Sequence, residues 1–221
     1  MPCNIGYKSY ERVTIPAPQP QVFSEKSEAP EIDAELLEKL GVEDSEFLEW
    51  VSELNVKPLL EEALSRALAK TSSRRGIDFT INAKGMLEAN GKFISSEEKK
   101  RMKEVSATVS KLWQFEILGI VAELLDYTVN ITQKGDLMTL EAEEAGKSHP
   151  CDYIKVSRKG DQSEITFEHF KSSKALDLAT AKFKALARKL GVKIIGRNRE
   201  VVEGDPYPTE VISKTGHRHK H

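Results

Sequence analysis

The feature that most constrains this chain is a Lys-Gly turn that recurs between runs of alternating apolar and polar residues. It occurs in NITQKGDLMTLEAE at 130–143, in KVSRKGDQSEITFE at 155–168 and, without the Asp, in TINAKGMLEA at 80–89. Alternation with a period of two predicts half-buried strands, and Gly supplies the positive φ that a short hairpin loop needs. The repeat therefore predicts a meander of similar antiparallel hairpins.

The same alternation assigns side chains to the two faces of each strand. In SEITFEHF, at 163–170, Ile165 and Phe167 fall on one face, whereas Thr166 and Phe170 fall on the other. The pattern therefore predicts that Phe167 and Phe170 lie on opposite faces of the sheet.

Apolar residues at helical spacing predict two longer helices beside the hairpins. Ser95 and Glu98 fit a capping box that opens a helix ending near Leu125, and its second half, LWQFEILGIVAELL, is apolar on most sides. A C-terminal helix begins at Ser172 or Ser173. The predicted fold class is α+β: a mainly antiparallel sheet of hairpins packed against the long central helix and the C-terminal helix, with a small helical subdomain near the N-terminus.

The small helical subdomain is an acidic stretch with three short helical patterns. They are AELLEKLG after Asp33, EFLEWVSEL after Ser45 as the N-cap, and LLEEALSRALAKT from Pro58. The predicted organisation has five segments: an N-terminal strand at 1–16, a Pro- and Ser-containing linker at 17–31, the acidic helical subdomain at 32–73, the α+β domain at 76–202 and an irregular tail at 203–221.

Charge is distributed unevenly, although the net charge is only −2. Thirteen Asp and Glu face three Lys between residues 25 and 62, whereas nine Lys and Arg face one Asp between residues 171 and 199. Such asymmetry bears on association with partners or on neutralisation within the molecule. The basic part contains the candidate nucleic-acid or partner surface, called the basic surface below: Lys174, Lys182, Lys184, Arg188, Lys189, Lys193, Arg197 and Arg199.

Sequence patterns for a metal site or a bound cofactor are incomplete in this chain. His149, Cys151 and three tail histidines do not form the paired spacing of a zinc site. Gly146-Lys147-Ser148 matches the end of a phosphate-binding loop, but Glu141 stands where that motif needs Gly. No metal, cofactor or catalytic residue is therefore predicted.

An enzymatic alternative stays open through carboxylates on the predicted sheet. Glu141 and Glu143 share one face of a strand, where a pair of carboxylates can act as acid and base. No Gly-x-Ser-x-Gly elbow is present, and His149 and His169 have no identifiable triad partners. An exposed acidic strand face is the simpler interpretation.

The cellular location is predicted from what the N-terminal residues lack. MPCNIGYKSYERVTIP has no basic segment followed by an apolar one, and no later run has the length of a membrane span. The two cysteines, Cys3 and Cys151, are predicted to be free thiols. A cytoplasmic location without membrane association is therefore expected.

Two stretches carry a resemblance to a known family. NITQKGDLMTLEAE resembles the strand–turn–strand segment of the Ycf-type proteins of cyanobacteria and plastids. SEITFEHFKSSKALDLATAKFKALARKLG is similar to the small domain of unknown function that accompanies them, through Phe170, Lys171, Leu176, Ala179, Thr180 and Leu186. The resemblance covers the minor part of the chain. It implies a bacterial-type accessory protein that works beside an AAA-type ATPase, with no catalytic residues to transfer.

Three functions follow as hypotheses. The leading one is a non-enzymatic cytoplasmic adaptor that engages a protein partner through its sheet and the basic surface. The first alternative is nucleic-acid binding through phosphate contacts of the basic surface. The second alternative is an enzyme that uses the sheet carboxylates.

Overall fold

The structure is a computed structural model, and it describes residues 6–15, 38, 40–41, 44–71, 76–91, 95–147, 151–160 and 162–204. The helices are α1 (Ser45–Glu53), α2 (Val56–Ala69), α3 (Ser96–Glu123) and α4 (Ser173–Lys189). The strands are β1 (Tyr7–Thr14), β2 (Asp78–Ile81), β3 (Leu87–Asn90), β4 (Tyr127–Lys134), β5 (Leu137–Glu144), β6 (Tyr153–Lys159), β7 (Gln162–Phe170) and β8 (Ile195–Glu203). The predicted linker at 17–31 and the tail beyond Gly204 lie outside these residues.

A six-stranded antiparallel sheet forms the centre of the fold, in the order β4-β5-β6-β7-β1-β8. The two hairpins with the Lys-Gly-Asp turn form the meander β4 to β7, and Gly135 and Gly160 have the positive φ values of 59° and 62° that their turns need. The predicted α+β class with a meander sheet is confirmed. β1 lies between β7 and β8, so β7 and β8 run parallel and α4 connects them.

The third Lys-Gly copy forms a separate two-stranded sheet, β2-β3. Its loop is longer than a two-residue turn, since β2 ends at Ile81 and β3 begins at Leu87. The side chain of Asn82 holds this loop together, because it accepts hydrogen bonds from the backbone N–H groups of Lys84 (2.9 Å) and Met86 (3.0 Å). A Cβ on Gly85 would lie 3.1 Å from Leu60 Cδ1, so this turn is seated against α2.

The C-terminal half of α3 is the central buried helix. One side packs on β4 and β5, where a Cβ on Gly119 would lie 3.0 Å from Ile131 Cδ1. The other side packs on α2, where the indole N–H of Trp113 donates to the carbonyl of Leu60 (3.1 Å). Helices α1 and α2 therefore share one hydrophobic core with the sheet.

Strand β7 ends in a bulge that changes which face its last residues occupy. His169 has a φ of 67°, and the register of β7 with β1 shifts between Tyr7 and Ser9. Phe170 is consequently buried together with Phe167, at 6.3 Å between ring centroids. The prediction that these two rings lie on opposite faces was wrong, because the bulge interrupts the alternation.

None of the described helices combines the length and the apolar character that a membrane crossing requires.

Candidate binding groove

The described members of the basic surface differ in how exposed they are. Lys174 lies in the first turn of α4 and Lys193 follows the end of that helix, and both side chains are exposed. Lys182 and Lys184, in contrast, point towards other elements of the fold. The side chain of Arg197 lies outside the described residues. The predicted set therefore includes cations that are directed towards the molecule itself rather than towards solvent.

Four contacts show how members of the basic surface are engaged within the molecule. Lys184 binds Glu11 on β1 (2.6 Å), and Lys182 binds Asp44 (2.5 Å). The other two contacts are Arg199 with Asp177 (2.6 Å) and Lys189 with the carbonyl of Ser52 (3.2 Å). Two of these acceptors, Asp44 and Ser52, belong to the acidic helical segment, so part of the charge asymmetry is neutralised within the molecule.

The sheet carboxylates lie on the face opposite α3 and α4. Glu141 faces Lys155 on the neighbouring strand at 3.3 Å, and about two fifths of each side chain is exposed. Burial together with Glu141 raises the pKa of Tyr153, so that phenol stays neutral at physiological pH. Glu143 is exposed on the same strand. This arrangement is a polar strand face with cross-strand pairing.

A groove of about 430 Å³ opens between α1, the end of α3, the start of β4 and α4. The side chains that determine its chemistry are Glu46, Phe47, Trp50, Asp126, Tyr127 and Lys182. Neither Glu141 nor Glu143 lines it. The groove thus combines aromatic rings with carboxylates.

Asp44 connects the two helices that border the groove. As the N-cap of α1, its carboxylate accepts a hydrogen bond from the backbone N–H of Phe47 (3.0 Å), and it also binds Lys182 of α4. The hydrogen bonds from Lys182 and Phe47 lower the pKa of Asp44 below its usual range. Asp44, rather than the expected Ser45, is therefore the cap.

We expect Asp44→Ala to lower the free energy of unfolding by about 1–2 kcal/mol, because it removes a helix cap and an ion pair. Asp44→Asn, which keeps a capping oxygen, should lose less. Since the folded pKa of Asp44 is lowered, its contribution is present above the unfolded pKa of about 3.9 and is lost as pH falls through the folded value.

Urea unfolding at pH 7 and at pH 3 checks the Asp44 prediction. The difference between wild type and Asp44→Ala should shrink at the lower pH. An unchanged or larger difference at pH 3 would contradict the assigned role of the Asp44 carboxylate.

Two aromatic side chains one helical turn apart form the wall of the groove. Phe47 is buried, Trp50 is 40% exposed, and their ring centroids lie 5.7 Å apart. The ammonium group of Lys182 lies 5.0 Å from the centroid of the Phe47 ring, within cation–π range. Sequence reasoning treated this stretch only as a helix, although a Trp among the glutamates of an amphipathic helix was the available signal.

The rim of the groove is acidic. Glu46 and Asp126 are exposed, and among the residues that the structure describes neither carboxylate forms an ion pair. Asp126 has a φ of 65°, and the backbone N–H of Ala145 donates to its carbonyl (2.9 Å). Burial raises the pKa of Tyr127, which therefore stays a neutral phenol on the groove wall.

Close to Tyr127, the residues around the incomplete phosphate-loop and metal patterns form a small polar cluster. Burial and the charge of Glu144 raise the pKa of Asp152 to about 6, and burial raises the pKa of the Cys151 thiol, which stays protonated at neutral pH. Lys147 binds Glu144 (2.5 Å).

In the part of the chain that is described, no three His, Cys, Asp or Glu side chains converge in a way that could hold a metal ion. Cys3, His149 and the tail histidines lie outside that part.

Comparison of the chain with protein-family models, with curated proteins and with solved structures found no match.

Proposed function

We propose that the protein is a binding or adaptor protein that holds a basic, partly apolar segment of a protein partner in the groove beside Trp50. The observation that carries this proposal is a large aromatic side chain left 40% exposed next to two carboxylates without ion pairs among the described residues. Trp, Tyr and Arg dominate the binding energy of protein interfaces, especially where a ring lies at the centre of the contact.

The chemistry of the groove selects a cation that stands beside an apolar group. An Arg or Lys of the partner can stack on the exposed ring of Trp50 and direct its charge towards Glu46 and Asp126. A neighbouring aliphatic side chain can then pack against Leu124 and Leu125, which also line the groove. A segment with only acidic side chains would be repelled.

Lys182 provides an internal example of the same recognition. Its ammonium group is held between the Phe47 ring and the carboxylate of Asp44. Glu46 and Trp50 are spaced i, i+4 on α1 and therefore lie on one side of the helix, so a cation supplied by a partner could contact a carboxylate and a ring there as Lys182 does. The proposal thus uses an interaction that this fold already makes.

Binding of a short peptide of alternating Arg and Leu tests the proposal, with a Glu and Leu peptide as the control ligand. We expect Trp50→Ala to weaken binding of the basic peptide by roughly thirtyfold, and Glu46→Lys by tenfold or more, in fluorescence anisotropy. Glu104→Lys is the matched control, because Glu104 is exposed on α3 and does not line the groove. Equal effects of Glu46→Lys and Glu104→Lys would refute the groove as the binding site.

The natural partner can be sought by affinity purification with the wild type and Trp50→Ala as a matched pair. A partner recovered by the wild type and lost with the variant would support the groove. The AAA-type ATPase implied by the resemblance stays a prediction that this purification addresses. The cytoplasmic location also stays a prediction.

Nucleic-acid binding and catalysis also stay predictions. The nucleic-acid hypothesis requires cations that can contact phosphates. Lys182 and Lys184 already bind carboxylates of this chain, so freeing them for phosphate contacts has an energetic cost. A shift assay titrated with salt decides it: unchanged binding after charge reversal of Lys182, Lys184 and Arg188 would rule it out. The catalytic hypothesis rests on Glu141 and Glu143, which do not line the groove.

A further inference from the structure

We propose that β4 is a self-association edge, through which two copies of the chain pair antiparallel about Asn130 and join their sheets into one. This proposal does not depend on the groove. It follows from the position of β4 in the sheet and from the order of its side chains.

Among the residues that the structure describes, strand β4 is an edge without the usual protection. It stands at one end of the sheet, pairs with β5 along all eight residues, and shows no register irregularity. It contains no Pro and no charged side chain before Lys134. Natural sheets protect exposed edges with prolines, charges, bulges or short strands, because an open ladder recruits another strand.

The opposite edge strand, β8, differs in these respects. Its pairing with β1 contains a register irregularity, and it carries exposed Arg199 and Glu200. Within the described part of the chain, β4 is thus the edge that remains long, regular and largely uncharged.

The centre of β4 is chemically symmetrical, because residues 128–132 read Thr-Val-Asn-Ile-Thr. In an antiparallel pair centred on Asn130, Thr128 faces Thr132 of the second copy and Val129 faces its Ile131. Pairs of Thr and pairs of β-branched side chains are favourable cross-strand neighbours. Asn130 meets its own copy, and two side-chain amides can exchange hydrogen bonds there.

In the proposed pair, apolar side chains of β4 lie on the face that packs on α3 and polar side chains lie on the face exposed to solvent. Val129 and Ile131 lie on the α3 side, half-buried over Gly119, so pairing would cover apolar surface that is still exposed. Thr128, Asn130 and Thr132 are exposed on the other face. A two-fold contact requires a self-complementary surface, and this five-residue segment meets that requirement.

Sedimentation equilibrium of the full chain tests the proposal. We expect a reversible dimer whose dissociation constant rises tenfold or more in Asn130→Lys, because two ammonium groups would then oppose each other at the axis. Val201→Lys is the control, since Val201 is 51% exposed on the other edge strand, and it should leave the dimer unchanged. A wild type that stays monomeric up to about 1 mM, or a dimer unaffected by Asn130→Lys, would overturn the proposal.

Cysteine cross-linking tests the register, in a Cys3→Ser background. Asn130→Cys should give a covalent dimer on mild oxidation, because the two residues 130 face each other. Thr128→Cys alone should not give a covalent dimer, since the two residues 128 would be about 13 Å apart. A mixture of Thr128→Cys and Thr132→Cys should give one, because residue 128 faces residue 132 of the second copy. Cross-linking of Thr128→Cys alone as efficient as that of Asn130→Cys would reject this register.

The groove proposal and the β4 proposal can be tested independently of each other. Asn130→Lys should leave binding of the basic peptide unchanged, because Asn130 is exposed and does not line the groove. It should also leave the thermal unfolding midpoint unchanged when both proteins are measured below the dissociation constant of the wild-type dimer, where dimerisation adds no stability. Trp50→Ala should leave the dimer unchanged. An Asn130→Lys variant that loses both properties would indicate damage to the fold and would be replaced by Thr132→Lys, which sets Lys against Thr128 of the second copy.

Discussion

Phe167→Ala is expected to lower the free energy of unfolding by about 3–5 kcal/mol, because it truncates a ring at the centre of the core. The Phe167 side chain has no exposed surface. Its ring meets Phe183 of α4 edge to face, at 5.9 Å between centroids, and lies 6.3 Å from Phe170. The truncation would therefore leave a cavity between the sheet and α4 and remove aromatic contacts on two sides.

Urea unfolding of Phe167→Ala and Phe167→Leu measures this effect. The Leu variant fills part of the cavity and should lose less stability, which keeps the test informative if the Ala variant does not fold. Trp50→Ala is the control, because it removes a larger ring that is 40% exposed. A Phe167→Ala loss no greater than the Trp50→Ala loss would contradict the described packing.

The ion pair between Glu11 and Lys184 is the second position where a large effect is expected. The Glu11 side chain is 6% exposed and the Lys184 side chain 20%, and the ammonium group lies within 2.8 Å of both carboxylate oxygens. Removal of either partner leaves a charge in a poorly solvated site. We expect Glu11→Ala and Lys184→Met each to cost about 3 kcal/mol of folding free energy.

The double variant Glu11→Leu with Lys184→Met is expected to recover most of that loss, because apolar side chains of similar length replace both charges. Unfolding free energies of the wild type, Glu11→Leu, Lys184→Met and the double variant give the coupling directly. Single losses below about 1 kcal/mol, as for surface ion pairs, would contradict the buried character of this pair.

This prediction also affects how the basic surface is tested. Charge reversal at Lys184 is expected to destabilise the fold through Glu11, independently of any nucleic acid. A loss of binding in such a variant supports a phosphate contact only if the unfolding free energy is unchanged. Arg188 is the more suitable position, because its substitution leaves the pair between Glu11 and Lys184 in place.

Features that depend on neighbours within a few residues could be predicted from the sequence. The capping box is confirmed: Ser95 accepts from the backbone N–H of Glu98 (3.2 Å), and Glu98 accepts from that of Ser95 (2.9 Å). Ser172 caps α4, and the Lys-Gly-Asp turns form hairpins with Gly at positive φ. Local hydrogen bonds and φ preferences decide such elements, so a short window of sequence is sufficient.

The sequence pattern of a segment was insufficient where a residue far away in the chain determined the local structure. Asp44 caps α1 instead of Ser45, and the same carboxylate binds Lys182 from α4. The bulge at His169 brings Phe170 into the core, where β1 and α4 meet β7. No pattern within either segment contains these partners, because they belong to other parts of the chain.

By itself, the sequence determined that this chain forms hairpins with glycine turns, two long helices with capped starts, and segments of opposite charge. Only the tertiary structure decided that β1 enters the centre of the sheet, that Glu11 reaches Lys184, and that Phe47 and Trp50 line a groove beside α4. The physical reason is that periodicity reports which face of an element is buried, whereas partners are selected by long-range packing. The groove and the β4 edge arise from that packing.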